Sequence, residues 1–180
     1  MIQKWERLAS RYVHRDAWLT ARADRCRLPG GRVLDPFYVL EYSDWVNVVA
    51  VTAADEIVLV RQYRHACGEI TLELPAGMME AGEDPETSAR RELLEETGYS
   101  AATFEPIFSL SPNTATHTNR SHSFLARGAR RTAEPRPDET EDLETEVWPM
   151  DRVLKALAGG ELLQALHVGP ILAAMRILGK

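Results

Sequence analysis

The chain is poor in cysteine, in net positive charge and in long apolar runs, and each shortage excludes something. Its two cysteines, Cys26 and Cys67, form no CxxC pair, which argues against a thiolate zinc site or a thioredoxin-like centre. Two reduced thiols in a cytosolic protein are a better expectation than a disulfide. Lys and Arg number 21 against 27 Asp and Glu, a formal net charge of −6. Non-specific binding of nucleic acid or of an anionic membrane needs a cationic surface, so neither is expected as a partner. No uninterrupted apolar run approaches the length of a bilayer span. The opening MIQKWERLAS has no apolar segment of the kind a secretory leader carries, so the cytoplasm is the expected location. There is no internal repeat and no long linker. A chain of 180 residues, 44% hydrophobic and 27% charged, is globular and large enough to bury an ordinary core.

What the chain does have is acid gathered in one place. Gly77 to Tyr99 reads GMMEAGEDPETSARRELLEETGY. Asp84 suits an N-cap, and Pro85 suits the first helical position, where its missing N–H costs nothing. Glu86 lies in the first turn, where the helix dipole favours an anion. Gly98 suits the left-handed residue just past the end. The spacing therefore predicts a helix from about Pro85 to Thr97. On it, Glu92 shares a face with Glu95 and Glu96, while Ala89, Leu93 and Thr97 form a second stripe that can pack inward. Like charges at that spacing repel, so something must compensate. Arg91 can offset Glu95, four residues on, or reach back to Glu83 and tie the preceding loop to the helix. The remaining negative face suits a hard cation such as Mg²⁺, which prefers oxygen ligands. A solvated acidic helix is the bland alternative for any single Glu pair, but it does not explain why the glycines, Arg91 and the loop coincide.

The whole segment resembles the Nudix box: Gly77, five residues, Glu83, seven residues, Arg91-Glu92, apolar Leu93, one residue, Glu95-Glu96, one residue, Gly98, then Tyr99 where an aliphatic residue is commoner. The resemblance extends outward. VRQYRHACGEITLELPAG, from Val60 to Gly77, is similar to the approach to the box in ADP-ribose pyrophosphatases. Ser111-Pro112 also resembles that subgroup, although Asn113 replaces its glycine, and DETEDLE, from Asp138 to Glu144, resembles its catalytic loop. The resemblance implies an α/β protein with the Nudix fold, an α/β/α sandwich around a mixed sheet, here with a small N-terminal β-subdomain. It implies a Mg²⁺-dependent hydrolase, with Mn²⁺ as a possible substitute, that cleaves the pyrophosphate bond of ADP-ribose or a related nucleoside diphosphate sugar. The alternatives are GDP-mannose or another sugar nucleotide as substrate, or a non-catalytic module that senses a nucleotide. All box acids are present, which favours catalysis.

The chain divides on this reading into residues 1–43, short strands and turns that would help form a homodimer or, on the bland alternative, a β-extension on a monomer, and residues 44–180, the Nudix domain. Val46 to Ala53 and Glu56 to Tyr63 read as a hairpin around Ala54-Asp55. Ile70 to Leu74, Phe104 to Leu110, Ser121 to Arg127 and Glu144 to Met150 read as strands. Gly128 to Glu141, with Pro135 and Pro137, reads as a mobile segment. Helices are expected near Asp151 to Ala158 and Glu161 to Leu178, the second interrupted around Gly169-Pro170.

Pyrophosphate hydrolysis needs a positioned water, a base and positive charge for the developing phosphoryl anion. Glu92 and Glu96 are the first candidate metal ligands, with Glu95 a direct or water-mediated third. The resemblance adds the Ala76 carbonyl and Glu141 to the metal set, and Glu139 as general base with Glu141 and Glu95 as rivals. Glu83 and Arg91 are expected to hold the loop, and Gly77 and Gly82 to permit its tight turn. Arg64 can clamp a phosphate or simply form a surface ion pair. Trp45 can stack on a base or sit in the core, and Met78 can offer backbone atoms to the diphosphate. Ser111 and Asn113 fall where a specificity loop belongs. His117 and His122 lack a helical metal spacing and read as loop polar groups.

Overall fold

The computed structural model describes residues 1–138 and 141–180, and these fall into two compact units. One comprises residues 1–43 and 111–120, the other residues 44–110 and 121–180.

The first unit is built on three antiparallel strands, β1 (Glu6–Arg15), β2 (Thr20–Arg27) and β3 (Val33–Glu41), in the order β1-β2-β3. These strands are 10, 8 and 9 residues long, longer than the short strands and turns expected. β1 is mostly polar and exposed along its length, so apolar alternation does not announce it. Its register is held by backbone pairing to β2 with two irregularities. Residues 111–120 belong here because Leu40 exchanges backbone hydrogen bonds with Thr116 and Thr118, at 2.8 and 3.1 Å.

The second unit contains β4 (Trp45–Thr52), β5 (Glu56–Arg64), β6 (Glu69–Glu73), β7 (Ala76–Met78), α1 (Pro85–Thr97), β8 (Tyr99–Ser100), β9 (Thr103–Leu110), β10 (Ser121–Arg131), β11 (Leu143–Pro149), α2 (Met150–Ala158) and α3 (Ala165–Ile177). The main path of its sheet runs β11-β5-β4-β10-β8. β6 pairs with β5, β7 with β4 and β9 with β10. β4 and β10 run parallel, and the other pairs are antiparallel, so the sheet is mixed.

Alternation along β4 assigns the layers, because successive side chains of a strand face opposite sides. Val46, Val48 and Ala50 face a cluster with Ala89 and Leu93 of α1 and Phe124 of β10. Val49 and Val51 face the other cluster, with Val153 of α2 and Ile171 and Ala174 of α3. Helices therefore cover both faces, which makes an α/β/α sandwich. Complete burial of a side chain such as Leu93 contributes roughly 1.5–3 kcal/mol.

Two expectations fail locally. The segment from Gly128 is not loop throughout: β10 continues to Arg131, with a bulge between Arg127 and Ala129, and Arg130 and Arg131 pair with Ser100 and Tyr99. The second C-terminal helix begins at Ala165 rather than Glu161 and runs unbroken through Gly169-Pro170. Proline removes one helical hydrogen bond there, but Pro170, Ile171, Ala174 and Met175 are all buried, and that packing keeps the helix continuous.

Candidate active site

Local rules place α1. Asp84 Oδ1 accepts the N–H groups of Glu86 and Thr87, each at 3.1 Å. Gly98 closes the helix with φ 71°, its N–H donating to Leu94 O, a conformation that side chains with a Cβ resist. Ala89, Leu93 and Thr97 are completely buried, and this inward stripe fixes the rotation of the helix. It brings Glu92 and Glu96 under the β7 segment. Glu96 is 3% exposed and Glu92 7%.

Glu96 Oε2 accepts the Ala76 N–H at 3.0 Å. Gly77 lies so close to Glu92 that a Cβ built on it would overlap the Glu92 carboxyl group. Gly77 therefore serves a close approach of loop to helix rather than the tight turn expected of it. Gly82, with φ 82°, supplies that turn. Arg91 joins loop and helix. Its Nε and Nη2 donate to the two oxygens of Glu83 at 3.1 and 3.0 Å, and Nη2 also reaches Met78 O at 3.2 Å. Nη1 donates to Glu92 Oε1 at 2.8 Å and Glu95 Oε2 at 3.0 Å. The two alternatives for Arg91 are thus both realised.

Burial sets the electrostatics. It pushes the Glu92 carboxyl up to about 7, partly resisted by Arg91 and reinforced by Glu141 and Glu95. It pushes Glu96 well above the ordinary range despite the Ala76 hydrogen bond, with Glu92 and Glu141 adding to the rise. Glu96 has no cation at ion-pair distance among the described residues. Two buried carboxyl groups under the Ala76–Gly77 backbone are, once deprotonated, a hard oxygen donor set that fits Mg²⁺ or Mn²⁺. Among the described residues, no three His, Cys, Asp or Glu side chains converge closely enough to hold an ion by themselves. Arg91 occupies oxygens of two of the candidate acids.

A cavity of about 420 Å³ opens beside this loop, lined by Ala76, Gly77, Met78, Glu141, Arg64 and Trp45 among others. Arg64 holds the buried Glu73 through Nε and Nη2, at 2.9 and 2.7 Å, and Thr71 Oγ1 donates to Glu73 at 2.6 Å. Burial raises the Glu73 carboxyl, and these bonds more than offset the rise, leaving it below its ordinary value. Arg64 Nη1 has no protein partner among the described residues, so Arg64 is both an ion pair and available to the cavity. Met78 is exposed and pairs with Trp45 across β7 and β4.

Ser111 and Asn113 belong to the first compact unit. There Asn113 Oδ1 accepts the Ala115 N–H at 3.0 Å and its carbonyl accepts His117 N–H at 2.9 Å, so its side chain builds its own turn. His122 contacts Asp44 at 3.1 Å. Glu139 lies outside the described residues. Glu141 accepts the Asp138 N–H at 3.2 Å.

Sequence reasoning overlooked Glu73, Thr71, Asn47, Ser121 and His167. Glu73 carried a signal: an acid within ITLEL, a strand otherwise apolar enough to be buried, requires a cation, and Arg64 precedes it across a hairpin. Nothing in the local sequence marks His167.

Comparison with known proteins agrees with this architecture. The NUDIX domain model matches residues 42–166, and the model of the nucleoside diphosphate sugar hydrolase N-terminal domain matches residues 5–40. The chain is 32% identical to an ADP-ribose pyrophosphatase of Mycobacterium tuberculosis, over 94% of its own length and 82% of that protein's. It is 36% identical to an ADP-ribose pyrophosphatase of Bacillus subtilis, over 77% and 75%. The crystal structure of an ADP compounds hydrolase superposes with a TM-score of 0.87 at 21% identity, covering 99% of this chain and 96% of that one, which is a likeness of fold. With the box complete, its acids buried under the β7 loop, and a family model covering most of the chain, this protein belongs to the NUDIX family.

Proposed function

We propose that the chain hydrolyses the pyrophosphate bond of a nucleoside diphosphate sugar, ADP-ribose foremost, to a nucleoside monophosphate and a sugar phosphate. The observation that carries this is the pair of buried carboxylates, Glu92 and Glu96, under Ala76 and Gly77 at the edge of a cavity that also receives Arg64. NUDIX hydrolases generally use divalent metal ions. Glu92, Glu96 and the Ala76 carbonyl would hold Mg²⁺, with Glu95 and Glu141 nearby. Such an ion, when bound, supplies Lewis-acid stabilisation of phosphoryl charge and lowers the pKa of water. The chain's own groups do the rest. Arg64, anchored on Glu73, offers Nη1 to a phosphate oxygen as a charge-assisted donor. Arg91 and Glu83 keep the loop against the helix. Glu139 takes the proton of the water attacking in line, with Glu141 and Glu95 as the other carboxylates in reach of that role.

The N-terminal sheet bears the exposed side chains of Tyr12, Val13, Trp18 and Tyr38, which suits a homodimer in which this sheet is covered. No helix among the described residues is long and apolar enough to cross a membrane, and a cytoplasmic location fits the reduced cysteines. A Mg²⁺-dependent assay of nucleoside monophosphate release, AMP or GMP, on a panel of ADP-ribose, other ADP-sugars and GDP-mannose tests the reading. Turnover of ADP-ribose supports it. Preference for GDP-mannose, the substrate named for a pyrophosphatase of Salmonella arizonae that is 32% identical over 59% of both chains, moves the assignment to that sugar nucleotide. Tight binding without turnover replaces it with a sensing module.

A further inference from the structure

A short buried segment joins two strands that both serve the site. β6 ends at Glu73, which anchors Arg64, and β7 begins at Ala76, whose carbonyl belongs to the proposed metal set. Leu74 lies between the two ladders and is completely buried, so strand pairing does not supply its N–H with a partner. His167 does: its Nδ1 accepts the Leu74 N–H at 3.2 Å. His167 stands in the first turn of α3 and is itself buried, on a helix that packs across β4, β9 and β10. Glu73 Oε2 is 3.9 Å from the same nitrogen, beyond hydrogen-bond reach. Leu74 therefore decides the tautomer, with the ring proton on Nε2. Burial holds the imidazole down to about 4, which keeps it neutral and able to accept around neutral pH.

We infer that His167 is a positioning residue of this site: by holding the Leu74 N–H, it keeps the Arg64 anchor and the Ala76 carbonyl in one register. The inference rests on the pyrophosphatase reading for the reaction it serves. Each hold on the segment comes from a different element. His167 of α3 takes the Leu74 N–H, Val48 of β4 donates to Pro75 O at 2.9 Å, and Glu96 of α1 takes the Ala76 N–H. The Leu74 N–H and the Glu73 carbonyl belong to one peptide group, which is planar, so neither turns without the other. Without the His167 acceptor a buried donor is orphaned, which is costly. Turning that peptide relieves the cost, but it moves Glu73 against Arg64 and draws Ala76 off Glu96. A hydrogen bond of purely structural value would change stability and leave the site as it was.

The test compares His167→Leu with His167→Asn in the full chain. The two side chains have nearly the same shape and lose the same part of the ring, but only asparagine, with Oδ1 in the place of Nδ1, accepts the Leu74 N–H. Mg²⁺ affinity is read by titration calorimetry and kcat/KM by AMP release from ADP-ribose, at a temperature where wild type and both variants are folded. His167→Leu should lose at least about tenfold in both, the scale on which groups supporting a metal ligand act. His167→Asn should stand at least about fivefold above it in both. Two variants that behave alike, whether both damaged or both at wild-type values, overturn the inference. Wild type decides the matter where His167→Leu does not fold. In its ¹⁵N spectra His167 Nδ1 should be unprotonated and scalar-coupled to the Leu74 amide, and Mg²⁺ should shift both resonances. A protonated Nδ1, or a pair that ignores Mg²⁺, overturns the inference. Calorimetry and spectra need no turnover, so a protein that binds Mg²⁺ and separates the two variants without hydrolysing ADP-ribose refutes the pyrophosphatase reading alone.

Discussion

Glu96, on the last turn of α1, accepts a hydrogen bond at 3.0 Å from the backbone N–H of Ala76, twenty residues earlier in the chain. This one bond registers the box helix against the loop before it and turns the Ala76 peptide into part of the same site as the acids. A glutamine at 96 can still accept that bond but cannot supply an anionic ligand. Glu96→Gln should therefore fold normally, with a melting temperature equal to or above wild type in the absence of metal, while turnover of ADP-ribose falls at least about a hundredfold. Paired melting curves and steady-state rates at saturating Mg²⁺ check both halves. An unchanged rate removes Glu96 from the metal set.

The approach of Gly77 to Glu92 predicts a second outcome. Any Cβ at 77 overlaps the Glu92 carboxyl, so Gly77→Ala must displace either the loop or the acid. Overpacking of this kind costs roughly 1–3 kcal/mol, and the displaced carboxylate should weaken Mg²⁺ binding. Chemical denaturation and metal titration of the variant measure the two effects. Wild-type values in both mean that the loop does not rest on the acid.

Metal-free stability should depend on pH through Glu92. Its carboxyl sits at about 7 folded, against an ordinary 4.5, so between those values the folded state binds more protons than the unfolded one. Stability from this group is full below 4.5 and is lost as pH rises through 7. Buried His167 slopes the other way. Burial holds it down to about 4 from 6.5, so its contribution is lost as pH falls from 6.5 toward 4. Above about pH 6.5 the raised carboxyls, Glu92 with Glu96, set the slope, and removing Glu92 isolates its share. Melting curves from about pH 6.5 to 8 should show metal-free wild type losing more stability than Glu92→Gln, and added Mg²⁺ should stabilise wild type more at the upper end. Parallel profiles for the two proteins contradict the assignment.

Glu139 is the general base we propose. Glu139→Gln should lower kcat by about 10²–10⁴-fold with KM little changed, since a base acts in the transition state. If KM alone moves, Glu139 binds substrate and Glu141 or Glu95 inherits the proton.

The box helix was legible almost to the residue, because Asp84, Pro85 and Gly98 are local signals that act before any tertiary contact forms. The layer order of the sheet was legible only through the family pattern. The alternation in VNVVAVTA shows two buried faces but not which helices cover them. β1 was legible poorly, since ERLASRYVHR carries no buried face. The site was legible where its chemistry is carried by spacing, as in Glu92 and Glu96. It was illegible where it depends on convergence from distant segments. The Glu73–Arg64 pair needed a hairpin to close, and the Asn47–Ser121 bond joins parallel strands 74 residues apart in sequence. His167 reaches Leu74 across 93 residues from a helix whose start was itself misplaced by four.

A crystal structure with Mg²⁺ and α,β-methylene ADP-ribose tests the central claim most directly. The account predicts an ion held by Glu92, Glu96 and the Ala76 carbonyl and touching the diphosphate, with Arg64 on a phosphate oxygen. A diphosphate bound in the cavity with no ion at those carboxylates contradicts it.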